Sequence, residues 1–226
     1  MEITKIIKKL VNGTVFAVPT ETVFGLVADI QNEKAIQKIY DLKGRDFSKP
    51  LSIFISDLGM LEKYVRLPLA LGSPLLAEFT QSSNEGPKGG DDVLAMTNIQ
   101  NLVKKYWPGP LTLVFKASKK VPSSILAGGD TVGIRCSSRP LIQQIVQKLG
   151  RPVTATSANL SGKPSAKTAE QVKEYFGNTI DVVVDNFFEC STIESTILDV
   201  TISPWRVLRP GAVVVEESKT ISRASL

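Results

Sequence analysis

The sequence predicts an α/β fold, a single domain with one twisted sheet of mixed parallel and antiparallel strands flanked by helices. Two observations predict it. Apolar residues at helical spacing alternate with short β-branched runs along most of the 226-residue chain, which suits one domain. The composition, 42% hydrophobic and 22% charged, is that of a globular protein and excludes global disorder.

Ile3, Ile6, Ile7, Leu10 and Val11 fall on one helix face, and Gly13 ends that helix. Residues 15–18 read as a buried strand stopped by Pro19. Ala35, Ile36, Ile39 and Leu42 mark a second helix, 51–55 a strand, and Asp57 the N-cap of a short helix to Tyr64. Ile99, Leu102, Val103 and Tyr106 mark a further helix, broken by Pro108-Gly109-Pro110 before a strand over 111–115. A strand over 132–135, a helix over 140–149 closed by Gly150, and a strand over 153–156 follow. Thr168 and Gln171 are spaced as a capping box for a helix that ends near Gly177. Strands are expected at 182–185, 196–200 and 206–208. Residues 1–215 thus form one domain, within which 69–96, containing SSNEGPKGGDD, reads as a loop-rich insertion. Residues 216–226 read as a frayed tail.

Composition narrows the chemistry. The chain has no histidine, which excludes imidazole triads, His-ligated zinc and a histidine general base. Cys136 and Cys190 are too few for a disulfide framework or a four-thiolate zinc site. No apolar stretch approaches the roughly 20 residues a membrane span needs, so a cytoplasmic protein without a membrane partner is expected. The net charge of +5 is mild. Lys8-Lys9, Lys104-Lys105 and Lys119-Lys120 read as solvated faces, so a small anionic ligand is favoured over a polymer.

Polar residues recur at strand ends, where open α/β sheets bind ligands. Lys43-Gly44-Arg45, with Lys49 beyond, suits a phosphate: arginine offers a fork and lysine a point charge. It equally suits a helix C-terminus whose cations answer the dipole. Ser157-Ala158-Asn159 reads as a phosphate-binding turn or as a plain turn. Thr20-Glu21-Thr22, Thr131, Arg135, Ser195-Thr196 and Arg209 occupy similar places, each with a structural reading of its own. Glu21, Asp130 and Glu194 are the carboxylates near these motifs, with ion pairing or capping as the favoured role of each.

VPTETVFGL at 18–26, LKGR at 42–45, KPL at 49–51, WPGPLTLV at 107–114, TVGIR at 131–135, TSANLSG at 156–162, ESTILD at 194–199 and LRPGA at 208–212 stand in the order found in the YrdC/Sua5 family of threonylcarbamoyl-AMP synthases, which the chain resembles over about residues 2–215. The resemblance implies a YrdC-like twisted-sheet fold with a concave basic cavity. It also implies a nucleotidyltransferase that makes L-threonylcarbamoyladenylate from L-threonine, bicarbonate and ATP, with Mg²⁺ brought by ATP and pyrophosphate released. The product would serve N6-threonylcarbamoyladenosine formation at position 37 of ANN-decoding tRNAs, through a separate tRNA threonylcarbamoyl transferase machinery. Carried over by position, Lys43, Arg45, Ser157 and Asn159 are the implied catalytic residues on the ATP phosphates. Lys49, Thr131, Ser165 and Arg209 complete the implied ATP site. Thr20, Arg135 and Ser195 are the implied threonine contacts, with Arg135 paired to the carboxylate.

The chain departs from the family pattern where Asp46 replaces a proline and Phe54 replaces a histidine. Phe54 is expected to form an apolar wall beside the threonine methyl. Because the chain ends soon after LRPGA, the resemblance is to the single-domain type. The alternative functions are a YrdC-like protein that binds double-stranded RNA or tRNA without this activity, and a carbamoyl-transfer enzyme of the kind used in hydrogenase maturation.

Overall fold

The computed structural model describes residues 2–66, 91–183 and 190–215. Phe16–Pro19 (β1) and Phe24–Val27 (β2) are apolar without alternation, and all eight residues are buried. They pair as an antiparallel hairpin, Phe16 opposite Val27 and Pro19 opposite Phe24. Each large side chain sealed this way stabilises the fold by about 1.5–3 kcal/mol. The loop between them is held by Thr20, whose hydroxyl accepts the N–H groups of Thr22 at 3.1 Å and Val23 at 3.2 Å.

The helices form where apolar spacing and caps agree. α1 (Ile3–Val11) and α6 (Pro140–Leu149) bury one face each and pack together, and α6 also lies against β3 (Ile53–Ile55). α2 (Glu33–Lys43) starts at an Asn32 cap and ends at Gly44, whose φ of 54° is the left-handed turn-off that glycine adopts without strain. Asp57 caps α3 (Leu58–Tyr64) as expected, accepting Met60 N–H at 2.8 Å. α7 (Ala169–Phe176) has its Thr168 cap. The Gln171 side chain reaches back to the N–H of Lys167 and not to that of Thr168 itself.

Two elements depart from expectation. α4 (Asp91–Tyr106) begins inside the segment expected to be loop. Residues 91–106 contain no glycine or proline, so nothing in that stretch interrupts a helix. The rest of the insertion, residues 69–90, lies outside the described residues, as do 67–68, 184–189 and the 216–226 tail. A short α5 (Ser123–Leu126) and β2 have no counterpart in the sequence reading, because neither shows a period of its own.

The remaining strands are β4 (Leu111–Lys116), β5 (Thr131–Cys136), β6 (Val153–Thr154), β7 (Thr156–Ser157), β8 (Asp181–Val182), β9 (Thr196–Asp199) and β10 (Arg206–Arg209). The expected single sheet is two: β7-β2-β1-β8 and β10-β9-β4-β5-β3-β6, each mixing parallel and antiparallel pairs. The expected strand over 153–156 is what divides them. Its first half pairs with β3 and its second with β2, and at the step Ala155 N–H turns to Ser52 O at 2.7 Å. The Thr154 hydroxyl bridges the break, accepting Ala28 N–H at 2.9 Å and donating to Leu26 O at 3.0 Å. None of the described helices is long and apolar enough to cross a membrane.

Candidate functional site

Residues from both sheets line one cleft of about 690 Å³. Its rim and floor come from the β1–β2 loop, the loop after α2, the 155–157 step, the start of β9 and the end of β10. Among the described residues Arg45, Arg135 and Arg209 line this concave cleft with one carboxylate, Glu194, so its lining is net positive.

Arg135 stands on β5 with its side chain 7% exposed. Its Nη2 pairs with Glu21 Oε1 at 2.8 Å and donates to Thr22 Oγ1 at 3.1 Å, while Nε donates to Gly109 O at 3.1 Å. The guanidinium also lies over the Phe54 ring, 5.6 Å from its centroid. Gly109 has no room for a side chain, since a Cβ there would stand 2.4 Å from Tyr106 O. That explains the glycine of WPGP, which delivers its carbonyl to Arg135. Glu21 takes further hydrogen bonds from Ser137 Oγ at 2.5 Å and Ser138 N–H at 3.2 Å. Burial alone would raise the Glu21 carboxyl. The Arg135 charge and the Ser137 hydrogen bond outweigh it and hold the group below the ordinary range.

The second pair is looser. Arg209 Nη1 meets Glu194 Oε2 at 2.6 Å, with side chains 37% and 34% exposed. Arg209 also donates to Ser195 O from Nη2 at 2.8 Å and to Ser195 Oγ at 3.0 Å, and Ser195 Oγ lies 3.1 Å from Thr112 Oγ1. The other Glu194 oxygen accepts the Ser165 hydroxyl. Gly211 lets this turn close, because a Cβ there would meet Glu194 O at 2.3 Å.

Lys43, the last residue of α2, is 3% exposed and is absent from the cleft wall. Its ammonium donates to Ser157 O at 2.5 Å, Asn159 Oδ1 at 2.8 Å and Asn159 O at 2.9 Å. Burial first, then the neighbouring Arg45 cation, pull its pKa down to about 7, against the pull of Glu194. Arg45 folds over its own loop, donating to Pro50 O at 3.0 Å and Lys49 O at 3.3 Å.

Of the residues singled out in the sequence, Thr20, Arg45, Arg135, Ser157, Ser195 and Arg209 line the cleft together. Asn159 and Ser165 touch it through Ser157 and Glu194. Lys49 is exposed outside the lining, and its carbonyl accepts from the Tyr40 hydroxyl and Arg45 Nε. Thr131 is also outside the lining, four residues from Arg135 at the opposite end of β5, about 13 Å along an extended strand. Alternation leaves it on the same strand face as Arg135. Asp130 is exposed and pairs with Lys116. Thr22, named with Thr20 and Glu21, lines the cleft too, as do Ser52, Thr112 and Ile197, which nothing singled out as ligands. Only the repeated placing of polar residues at strand ends pointed to their neighbourhood. Among the described residues no three Asp, Glu, Cys or His side chains converge as a metal cage. Glu194 is the carboxylate facing the cleft, already engaged by Arg209 and Ser165.

A family model described as Telomere recombination, covering the Sua5, YciO and YrdC proteins, matches residues 8–211. A threonylcarbamoyl-AMP synthase of Pyrococcus abyssi is 36% identical over 209 residues, covering 92% of this chain and 54% of that protein. One from Vibrio vulnificus is 35% identical over 180 residues, covering 80% and 83%. The crystal structure of P. abyssi Sua5 complexed with L-threonine superposes with a TM-score of 0.74 at 34% identity, covering 93% of this chain and 55% of that one. The chain therefore spans about half the length of its Pyrococcus relative. With the motifs, the cleft and the fold in agreement, the chain belongs to the Sua5/YciO/YrdC family.

Proposed function

We propose that this cleft makes L-threonylcarbamoyl-AMP from L-threonine, bicarbonate and MgATP. The observation that carries the reading is a net-positive cleft with three convergent arginines, in a chain whose relatives bear the name threonylcarbamoyl-AMP synthase. A relative of the same fold, P. abyssi Sua5, was crystallised with L-threonine.

The amine of threonine adds to bicarbonate-derived CO2 to give a carbamate. A carbamate oxygen attacks the α-phosphorus in line, and pyrophosphate leaves. Such a step asks chiefly for positioning and for charge to meet the phosphate oxygens, which a chain without histidine can supply. In this reading Arg45, Arg209 and Ser157, which line the cleft, hold the phosphates, and Thr20, Arg135 and Ser195 contact the threonine. Arg135 has committed Nη2 and Nε to the protein, so the threonine carboxylate meets a cation already oriented by Glu21 and Gly109. Magnesium would enter as part of MgATP and be held mainly by its phosphates, with Glu194 the described lining carboxylate that could join them. Thr131, outside the cleft lining, would contact only the far end of the nucleotide. The product would be consumed by a tRNA threonylcarbamoyl transferase in the cytoplasm.

The test is pyrophosphate release with MgATP, threonine and bicarbonate, each omitted in turn, with the nucleotide product weighed by mass spectrometry. Release that needs all three and yields the threonylcarbamoyl adenylate mass is expected. Release indifferent to threonine, or none from folded protein, overturns the reading. Salt-sensitive RNA binding in that case would favour the RNA-binding alternative.

A further inference from the structure

The family pattern places Lys43 on the nucleotide phosphates, and its surroundings point elsewhere. An ammonium has three N–H donors, and all three are spent inside the protein, on Ser157 O, Asn159 Oδ1 and Asn159 O. Its side chain is sealed from solvent, and the cleft is lined by Ser157 instead. The backbone ties the same elements a second time, since Lys43 O accepts Ser161 N–H at 2.7 Å. Asn159 relays the hold: Oδ1 also accepts the Ser157 hydroxyl at 2.7 Å, and Nδ2 donates to Lys163 O at 2.5 Å. Thus the end of α2 grips the 157–163 loop through one buried cation, one carbonyl and one shared amide.

We infer that Lys43 is a positioning residue, whose ammonium clamps the 157–163 loop so that Ser157 faces the phosphates, and that it does not itself touch the nucleotide. The inference rests on the nucleotide reading of the cleft. The cost of keeping a charge at this depth is visible in its depressed pKa, and three short contacts to oxygen offset it. The three hydrogen-bond partners are neutral, unlike the glutamates that Arg135 and Arg209 face.

Hydrogen exchange of the ligand-free protein tests the clamp without any nucleotide. Lys43→Met is expected to speed exchange at 157–163 by about tenfold or more, while the amides early in α2 stay unchanged. Unchanged exchange at 157–163 overturns the inference. Calorimetry then tests the consequence. MgATP binding by Lys43→Met is expected to weaken by about 10- to 100-fold, with adenosine binding unmoved. Asn159→Ala breaks the same unit, so the double variant should bind MgATP no worse than the weaker single variant. Losses that multiply in the double variant mean separate contacts and overturn the clamp. A wild-type structure with a non-hydrolysable MgATP analogue needs no variant: Lys43 Nζ should keep its three oxygens, and a phosphate oxygen within hydrogen-bond reach of it would refute the inference. If the wild type binds no MgATP, the nucleotide reading fails, and the exchange experiment still decides the clamp.

Discussion

Arg135 and Arg209 each meet a glutamate in the same cleft, but the two pairs are built differently. The Arg135–Glu21 pair is enclosed, with side chains 7% and 17% exposed, and its further contacts run to Gly109, Thr22, Phe54, Ser137 and Ser138. The Arg209–Glu194 pair is about a third exposed on both sides and leans on Ser165 and Ser195. A buried pair with its hydrogen bonds satisfied is costly to break, whereas a half-solvated one exchanges partners cheaply. The difference teaches which cation is a fixture and which can be handed to a ligand. On the proposed reading, Arg135 is set in place before any substrate arrives, and Arg209 would exchange its carboxylate for a phosphate.

The largest effect that would break this comparison is on stability. Glu21→Ala leaves Arg135 buried without its partner and should destabilise by about 3–5 kcal/mol, roughly 6–20 °C in melting temperature for a domain this size. Glu194→Ala should cost no more than about 1 kcal/mol. Equal losses in thermal unfolding would erase the distinction. In activity the ranking reverses toward the exposed cations: Arg45→Ala and Arg209→Ala should each lower kcat/KM by about 10²–10³-fold through lost charge at the phosphates, with melting little changed.

A pH series sharpens the buried side of the comparison. The depressed Glu21 carboxyl contributes stability that is complete above its ordinary value of 4.5 and is lost as pH falls through its lower folded value. Denaturant unfolding from pH 7 to 3 should show a loss in the wild type that is shallower in Glu21→Gln. Smaller still is the release of Arg209: Glu194→Gln should bind magnesium-free pyrophosphate about 3- to 10-fold more tightly, because the anion no longer competes with a carboxylate. The smallest effect concerns the apolar wall beneath Arg135. Phe54→Leu should narrow the preference for threonine over serine by a few fold, the worth of part of a methyl contact, and an unchanged ratio of the two kcat/KM values removes Phe54 from the threonine pocket.

Local chemistry determined much of this protein. The stripes of α1 and α6, the caps at Asp57 and Thr168, the Gly150 stop and the breaks at proline are short-range effects, so they appear in the chain itself. The motif residues are legible for the same reason, as polar groups left at the ends of apolar strands. Tertiary structure alone decided their partners. β2 is sealed on both faces and so carries no alternation to betray it. The split at Ala155 depends on Ser52, more than a hundred residues away in the chain. The family resemblance assigned Lys43 and Ser157 alike to the phosphates, but burial and three acceptors from a distant loop turned the lysine inward. Likewise only folding revealed that Arg135 and Arg209 come paired, because a cation's role depends on what solvates it, and in this cleft the solvent is largely other parts of the chain.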